Sequence, residues 1–169
     1  MKLETLISSE ELQARIAELG AEIKKDYEGK ELIVVCVLTG SVFFTVDLSK
    51  HLDQQNTIFD FMQVKSYKGT ESTGIITLTK ELTYDIKDKH VMVIEDIVDT
   101  GLTLEYIINY LKAKEPKSLK LCALLHKNKV DIKADYTGFN IENKFVIGYG
   151  LDYDEKYRNL DYIGVNVGE

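Results

Sequence analysis

The chain has 169 residues, a formal net charge of −7 and a sequence pI near 5.1, and 44% of its residues are hydrophobic. These values are typical of one globular domain with a hydrophobic core. The acidic pI argues against a general nucleic-acid-binding protein, which needs clustered cations to neutralise phosphates. No apolar run is long enough to span a membrane. Because the N-terminus MKLETLISSEEL is too polar for a secretory signal, we expect a cytoplasmic protein without nucleic-acid or membrane partners.

The two cysteines, Cys36 and Cys122, lie in the apolar runs VVCVL and LCALL. Apolar surroundings predict buried free thiols, and a cytoplasmic location disfavours a disulfide. The sequence contains no C-x-x-C pair or cluster of histidines that would indicate a zinc site.

Helices and short apolar runs alternate along the first half of the chain. Residues 9–26 repeat apolar side chains at helical spacing, and Ser8 with Glu11 fits a capping box. The run ELIVVCVLTGS predicts a buried strand that ends in a turn of small residues. The next stretch, VFFTVDLSKHL, has helical character, and IFDFMQVKSY alternates as a strand does.

The same alternation continues in the second half. KHVMVIEDI predicts another buried strand, followed by a helix from about Thr103 to Lys114, and SLKLCALLHK and NKFVIGYGL add two apolar runs. Short apolar runs separated by helices indicate an α/β fold whose parallel sheet is covered on both faces. In such sheets ligands bind beyond the carboxyl ends of the strands, which directs attention to the residues that follow each run.

The first such strand end is the turn of residues 38–41, Leu-Thr-Gly-Ser, which leads into a helix. Backbone N–H groups at a helix start can bind an anion. A plain tight turn with Ser41 as the N-cap is the alternative, which the turn alone favours.

The stretch VMVIEDIVDTGLTL places Glu95, Asp96 and Asp99 within five positions after a buried strand. Acidic capping of the following helix would explain Asp99, but Glu95 and Asp96 still belong to the strand end. Adjacent carboxylates raise one another's pKa unless a cation or a hydroxyl donor occupies the site. A sugar such as ribose, with magnesium nearby, would satisfy them, and the hydroxyls and glycine of DTGLT suit a phosphate.

Three further segments suggest parts of a ligand site. SYKGTESTG is long and polar, which fits either a lid or a connection without a role. Lys127 in LLHKNK is either a solvated charge or a donor to a ligand carbonyl, whereas the neighbouring His126 has no catalytic pattern. The tail around Phe145, Asp152 and Arg158 combines aromatic and charged side chains, which suits stacking on a flat ring beside a metal or phosphate.

In this order, the motifs VLTGS, SY…STG, VIEDIVDTGLT and KFVIGYGLDY…YR resemble those of the hypoxanthine-type purine phosphoribosyltransferases, in the type I phosphoribosyltransferase family. The resemblance extends from about Leu32 to Val165. It implies an α/β fold with a mostly parallel central sheet flanked by helices, a flexible lid loop and a small hood. It also implies one domain over 1–169, with a core at about 28–130 and a hood from about 1–8 and 131–169.

The resemblance also implies roles for individual residues toward phosphoribosyl pyrophosphate (PRPP). Asp99 is the implied general base near the purine N7. The implied ribose- and PRPP-binding residues are Glu95, Asp96, Thr100, Gly101, Leu102 and Thr103, and the implied pyrophosphate-binding residues are Leu38, Thr39, Gly40 and Arg158. In this family the 38–40 turn commonly carries a non-proline cis peptide and a Lys or Arg where this chain has Thr39, so main-chain amides would bind the pyrophosphate here.

The remaining implied roles concern the base, the metal and the lid. The implied purine-binding residues are Lys127, Phe145, Val146 and Asp152, the lid residues are Ser66 and Tyr67, and the ligands of a Mg²⁺ cofactor are Glu95, Asp96 and Asp152. Lys127 favours a 6-oxopurine over adenine, whose amino group does not accept a hydrogen bond from an ammonium group.

The function implied is purine salvage, the transfer of the phosphoribosyl group of PRPP to hypoxanthine or guanine. Two alternatives stay open: a PRPP-binding regulatory protein of the same fold, and a transferase that prefers xanthine or another base. The partners implied are PRPP, a purine base and further copies of the chain in a homodimer or homotetramer.

Overall fold

The structure, a computed structural model, describes residues 1–67 and 75–168. Its elements are β1 Leu3–Ile7, α1 Ser9–Asp26, β2 Leu32–Leu38, α2 Val42–Ser49, β3 Thr57–Tyr67, β4 Ile75–Lys80, β5 His90–Val98, α3 Leu102–Lys112, β6 Ser118–Lys127, β7 Tyr136–Ile141, β8 Val146–Ile147 and β9 Ile163–Asn166.

Six strands form the central sheet in the order β4-β3-β2-β5-β6-β7. Every neighbouring pair is parallel except β3 and β4, which are antiparallel. The middle strands β2 and β5 carry almost uninterrupted buried residues, as expected of strands that are covered on both faces. The expected α/β fold with a mostly parallel sheet is therefore confirmed.

Helices cover both faces of this sheet, and the sheet divides the hydrophobic core in two. On one face, Leu12 and Ile16 of α1 pack with Phe44 of α2. On the other face, Ile107 and Leu111 of α3 pack with the alternate side chains of β2 and β5. Residues that alternate along a strand point to opposite faces, so one apolar run supplies both halves of the core. Cys36 and Cys122 are buried free thiols, as predicted.

Helix α1 begins as its sequence predicts. The Ser8 hydroxyl accepts a hydrogen bond from the Glu11 backbone N–H at 3.1 Å, and the Glu11 carboxylate accepts one from the Ser8 N–H at 2.8 Å. This capping box satisfies two N–H groups that have no partner within the helix. Helix α3 spans Leu102–Lys112, close to the predicted 103–114.

A second, smaller sheet has the order β1-β9-β8 and joins residues from both terminal segments of the chain. The predicted hood boundaries stay a prediction, and β7, which lies within 131–169, belongs to the central sheet by its pairing with β6. Among the helices of the described residues, none combines the length and the apolar character that crossing a membrane requires.

Candidate active site

The carboxyl ends of β2, β5 and β6 lie side by side, because these parallel strands are neighbours in the central sheet. The turn of residues 38–41 follows β2, the acidic segment forms the end of β5, and Lys127 ends β6. Three motifs that are far apart in sequence thus meet at one edge of the sheet, where ligands of open α/β sheets bind.

A cavity of about 220 Å³ lies at this edge. Its lining residues are Glu95, Asp96, Ile97, Val98, Asp99, Thr100, Gly101, Thr103 and Leu104. All of these residues belong to the single stretch VIEDIVDTGLTL.

Glu95 and Asp96 form an acidic pair at the end of β5. Burial, reinforced by the charge of Asp96, raises the pKa of Glu95 well above its usual value. Burial also raises the pKa of Asp96, although the Ile97 N–H donates to its carboxylate at 2.7 Å and opposes the shift. Within residues 1–67 and 75–168, neither carboxylate forms an ion pair with a Lys or Arg side chain. The pair is thus an acceptor site for hydroxyl groups or a cation.

The loop that follows this pair turns into α3 at Gly101, which is the N-cap residue and has φ 85. A Cβ atom at this position would come within 2.3 Å of Ile132 Cδ1, so both the conformation and the space require glycine. No side chain among the described residues caps the helix, so none of them accepts from its first N–H groups. Asp99, two residues before Gly101, therefore makes no capping hydrogen bond within residues 1–67 and 75–168.

Asp99 instead pairs with Lys127 across the β5–β6 edge, with Nζ and Oδ2 3.0 Å apart. The Lys127 side chain is only 10% exposed, whereas that of Asp99 is 54% exposed. The alternative of a solvated surface charge at Lys127 is therefore wrong. A buried ammonium group beside an accessible carboxylate offers a ligand one donor and one acceptor a few ångströms apart.

The turn after β2 packs tightly against the acidic pair. The Leu38–Thr39 peptide is cis, and a Cβ atom at Gly40 would come within 1.9 Å of Asp96 Oδ2. Ser41 occupies the N-cap position of α2, but its hydroxyl makes no capping hydrogen bond and has no partner among the described residues. Side-chain capping by Ser41, the alternative for this turn, is therefore not found.

The C-terminal tail adds its charged residues to the same edge. A Cβ atom at Gly150 would come within 2.0 Å of the Gly40 carbonyl oxygen, so the two turns are in direct contact. Arg158 Nη1 donates to the Gly150 carbonyl at 2.7 Å, and Nη2 lies 3.4 Å from Asp152 Oδ1. The structure thus brings Arg158 and Asp152 beside the 38–40 turn, whose position 39 carries no cation.

Phe145 and Val146 lie at the start of β8, in the small sheet. The Phe145 side chain is 62% exposed and meets Tyr153 edge-to-face, with ring centroids 6.1 Å apart. Val146 is buried and pairs with Val165 of β9. A ring that is mostly exposed has aromatic surface available to a flat ligand.

The predicted lid begins at the end of β3. Ser66 is an exposed residue of that strand and pairs with Ile76 of β4, and Tyr67 pairs with Ile75. Residues 68–74, the rest of the predicted lid, lie outside the described residues, so the lid stays a prediction.

No group of three or more His, Cys, Asp or Glu side chains in the described ranges is arranged to hold a metal ion. The predicted ligands Glu95, Asp96 and Asp152 thus do not form a site from protein groups alone. Magnesium is commonly held by one or two carboxylates together with substrate phosphates and water. The buried acidic pair fits such a partly protein-bound ion.

The sequence motifs did not identify three residues that connect these loops. His126 lies between the carbonyl oxygens of Lys127 and Ile132, at 3.0 and 2.5 Å from its ring nitrogens. Tyr149 Oη donates to Asp47 Oδ2 at 2.5 Å and joins the tail to α2. The unusual GYG triplet around Tyr149 is the one signal that the sequence offered; Asp47 resembles any helix surface residue.

Comparison with known proteins agrees with this geometry. Residues 4–154 match the model of the phosphoribosyl transferase domain. The hypoxanthine-guanine-xanthine phosphoribosyltransferase of Tritrichomonas foetus is 47% identical over 164 residues, which cover 95% of this chain and 89% of that protein. The hypoxanthine-guanine phosphoribosyltransferase of Streptococcus pneumoniae is 48% identical over 164 residues, covering 95% and 91%.

A solved structure agrees as well. The crystal structure of a hypoxanthine-guanine phosphoribosyltransferase from Bacillus anthracis matches with a TM-score of 0.90 at 44% identity, covering 97% of this chain and 98% of that chain. The chain therefore belongs to the phosphoribosyltransferase family, with the fold of its hypoxanthine-guanine members.

Proposed function

We propose that the protein transfers the 5-phosphoribosyl group of PRPP to a 6-oxopurine, hypoxanthine or guanine, in cytoplasmic purine salvage. The products are IMP or GMP and pyrophosphate. The observation that carries the proposal is the Lys127–Asp99 ion pair. It lies next to Glu95 and Asp96 and to the loop of residues 99–103. A 6-oxopurine that is protonated at N7 presents an acceptor, O6, beside a donor, the N7–H group. The Lys127 ammonium group and the Asp99 carboxylate, 3.0 Å apart, supply the matching donor and proton acceptor.

The sugar and its phosphate occupy the cavity in this proposal. Glu95 and Asp96 accept hydrogen bonds from the ribose 2′- and 3′-hydroxyls, and this relieves the cost of their burial. The 5′-phosphate binds at the start of α3, where N–H groups and the helix dipole favour an anion. The phosphate-binding residues are Thr100, Gly101, Leu102 and Thr103.

The pyrophosphate binds at the turn of residues 38–40. Amides of Leu38, Thr39 and Gly40 donate to it, and Arg158, held beside the turn through the Gly150 carbonyl, supplies the cation that position 39 lacks. Carbon–oxygen cleavage at the anomeric carbon gives oxocarbenium character, as in glycoside hydrolysis. Stabilising the departing pyrophosphate is therefore the main electrostatic task of the site.

The base lies on the other side of the ribose. Phe145 stacks on the ring, the Val146 backbone contacts its edge, and Lys127 donates to O6. Asp99 accepts the N7 proton and so strengthens the purine nitrogen that attacks the sugar. An exposed Asp99 carboxylate supports this role, because it has room to exchange its Lys127 partner for a purine.

Glu95, Asp96 and Asp152 would hold a magnesium ion bound together with PRPP. Such an ion would supply positive charge that stabilises the leaving pyrophosphate. Ser66 and Tyr67 belong to a lid that closes over the centre and keeps water from the reactive sugar cation. The active protein is a homodimer or homotetramer.

Preference for xanthine is the second candidate, favoured by similarity to the hypoxanthine-guanine-xanthine phosphoribosyltransferase of T. foetus, whose name includes that base. A pyrophosphate-release assay with PRPP, magnesium and one base at a time separates the candidates. We expect release with hypoxanthine and guanine and none with adenine or uracil. If none of the bases gave pyrophosphate release, the protein would not be a phosphoribosyltransferase, and a PRPP-binding regulatory role would be favoured.

A further inference from the structure

Asp47 and Tyr149 join two loops of the site without lining its cavity. Tyr149 is 4% exposed, and its hydroxyl donates to Asp47 Oδ2 at 2.5 Å. Asp47 lies on α2, the helix that begins directly after the 38–41 turn. Tyr149 lies in the turn of residues 148–150, shortly before Asp152 and Arg158. The hydrogen bond thus ties the helix behind one loop to the backbone of another.

The backbone around Tyr149 needs support. Tyr149 has φ 50, between Gly148 with φ 101 and Gly150 with φ 98. A bulky side chain rarely adopts this left-handed conformation, and the surrounding contacts must hold it there. The Tyr149 N–H donates to Leu160 O at 3.0 Å, and the bond to Asp47 fixes the other end of the residue.

The turn of residues 148–150 packs closely against the turn of residues 38–40, where the proposed pyrophosphate site lies. A Cβ atom at Gly150 would lie 2.0 Å from the Gly40 carbonyl oxygen, and one at Gly40 would lie 1.9 Å from Asp96 Oδ2. The Gly150 carbonyl also accepts the hydrogen bond from Arg158 Nη1 at 2.7 Å. A shift of the 148–150 turn would therefore move Arg158 and the amides of the 38–40 turn together.

Asp47 is suited to hold Tyr149 firmly. Burial alone would raise the pKa of Asp47, but hydrogen bonds from Tyr149, Gln13 and Lys50 hold it below the usual value. The acceptor is thus a carboxylate, and hydrogen bonds to a charged acceptor are shorter and stronger than those between neutral groups.

We propose that Tyr149 and Asp47 are positioning residues for the pyrophosphate half of the site, and this inference rests on the proposed function. Neither residue touches substrate. Their hydrogen bond holds the 148–150 turn against Gly40 and sets the direction of Arg158. Losing the bond weakens the binding of PRPP and of pyrophosphate and leaves the affinity for the purine base unchanged.

The chain contains a matched control. Tyr136 is also 4% exposed, and its hydroxyl also donates to an aspartate, Asp26 Oδ2, at 2.5 Å. Tyr136 begins β7, at the amino end of a strand that is parallel to β6, which is the edge opposite the site. Tyr149→Phe and Tyr136→Phe therefore remove the same kind of hydrogen bond, one near the site and one far from it.

Both substitutions should lower the melting temperature, but only Tyr149→Phe should raise the KM for PRPP, by about tenfold, the factor expected for a hydrogen bond to a charged group. The KM for hypoxanthine should stay within about twofold. Asp47→Asn, which keeps an acceptor oxygen for Tyr149, should restore most of the affinity that Asp47→Ala loses. Tyr149→Phe combined with Asp47→Ala should be no worse than Asp47→Ala alone.

Equal KM values for PRPP in Tyr149→Phe and Tyr136→Phe would overturn the proposal. Calorimetric binding of magnesium pyrophosphate to the same variants supplies a readout that does not require turnover. If the unsubstituted protein released no pyrophosphate with any base, the proposed function would fail, yet weaker pyrophosphate binding in Tyr149→Phe than in Tyr136→Phe would still support the positioning role. Equal binding in the two variants would refute it.

Discussion

Replacing Glu95 by Gln should stabilise the ligand-free protein at neutral pH while it impairs the proposed sugar binding. The glutamate is 8% exposed, lies next to Asp96 and forms no ion pair with the described residues. Burial and the Asp96 charge raise the pKa of Glu95 above its ordinary 4.5. A carboxyl group with a raised pKa in the folded state favours folding most below its unfolded pKa, and stability is lost as the pH rises toward the folded pKa.

The size of the effect follows from what glutamine removes. Glutamine removes the charge but keeps a buried polar group, so the gain is the extra cost of burying a charge. A buried polar group without a partner costs about 1–3 kcal/mol, and a charged group costs more. We therefore expect Glu95→Gln to increase the free energy of unfolding by about 2 kcal/mol near pH 8. For a chain of this length, that corresponds to about 4–8 °C in Tm. Near pH 4.5, where the carboxyl group is largely neutral in the folded state, the gain should nearly vanish.

Thermal unfolding from about pH 4.5 to about pH 8 measures this difference, with the exposed Glu28→Gln as the control for loss of one surface charge. Adding magnesium and PRPP should reverse the order, because the unsubstituted protein gains more from binding. A Glu95→Gln variant that is less stable than the unsubstituted protein at pH 8, or a gain independent of pH, would refute the reasoning.

Two further predictions concern the neighbouring loop. Asp99→Asn should lower kcat by about 10²–10⁴-fold, the usual contribution of a general base, while the KM for PRPP stays within a few-fold; an unchanged kcat in steady-state assays would contradict the assignment. Gly101→Ala should raise the KM for PRPP and lower Tm by more than Gly29→Ala does. Both glycines have positive φ, but only an added Cβ at Gly101 meets another side chain, Ile132; equal effects in kinetics and melting would show that the loop tolerates the shift.

The helices and strands could be predicted from the sequence because capping and hydrophobic periodicity are local properties. The capping box at Ser8 follows from residues three positions apart, and the buried runs of β2 and β5 follow from uninterrupted apolar residues. The order β2-β5-β6 then brought the acidic pair and Lys127 to one edge, as the carboxyl-end rule for parallel sheets predicts.

Contacts between distant backbones lay beyond the reach of the sequence. The close approach of Gly150 to Gly40, and the bond from Tyr149 to Asp47, depend on how two loops separated by about a hundred residues pack together. The sequence did not predict the pairing of Asp99 with Lys127 for the same reason. Asp99 has the spacing of a capping residue, and its ion pair depends on the position of Lys127 on the neighbouring strand.

The most direct test of phosphoribosyl transfer is a product balance. The purified protein is incubated with PRPP, magnesium and hypoxanthine, and IMP and pyrophosphate are quantified over the same time course. Transfer predicts that the two products appear in equal amounts and that neither appears without the base. Pyrophosphate formed without IMP would mean hydrolysis of PRPP, and the absence of both products with every purine would contradict the proposed function.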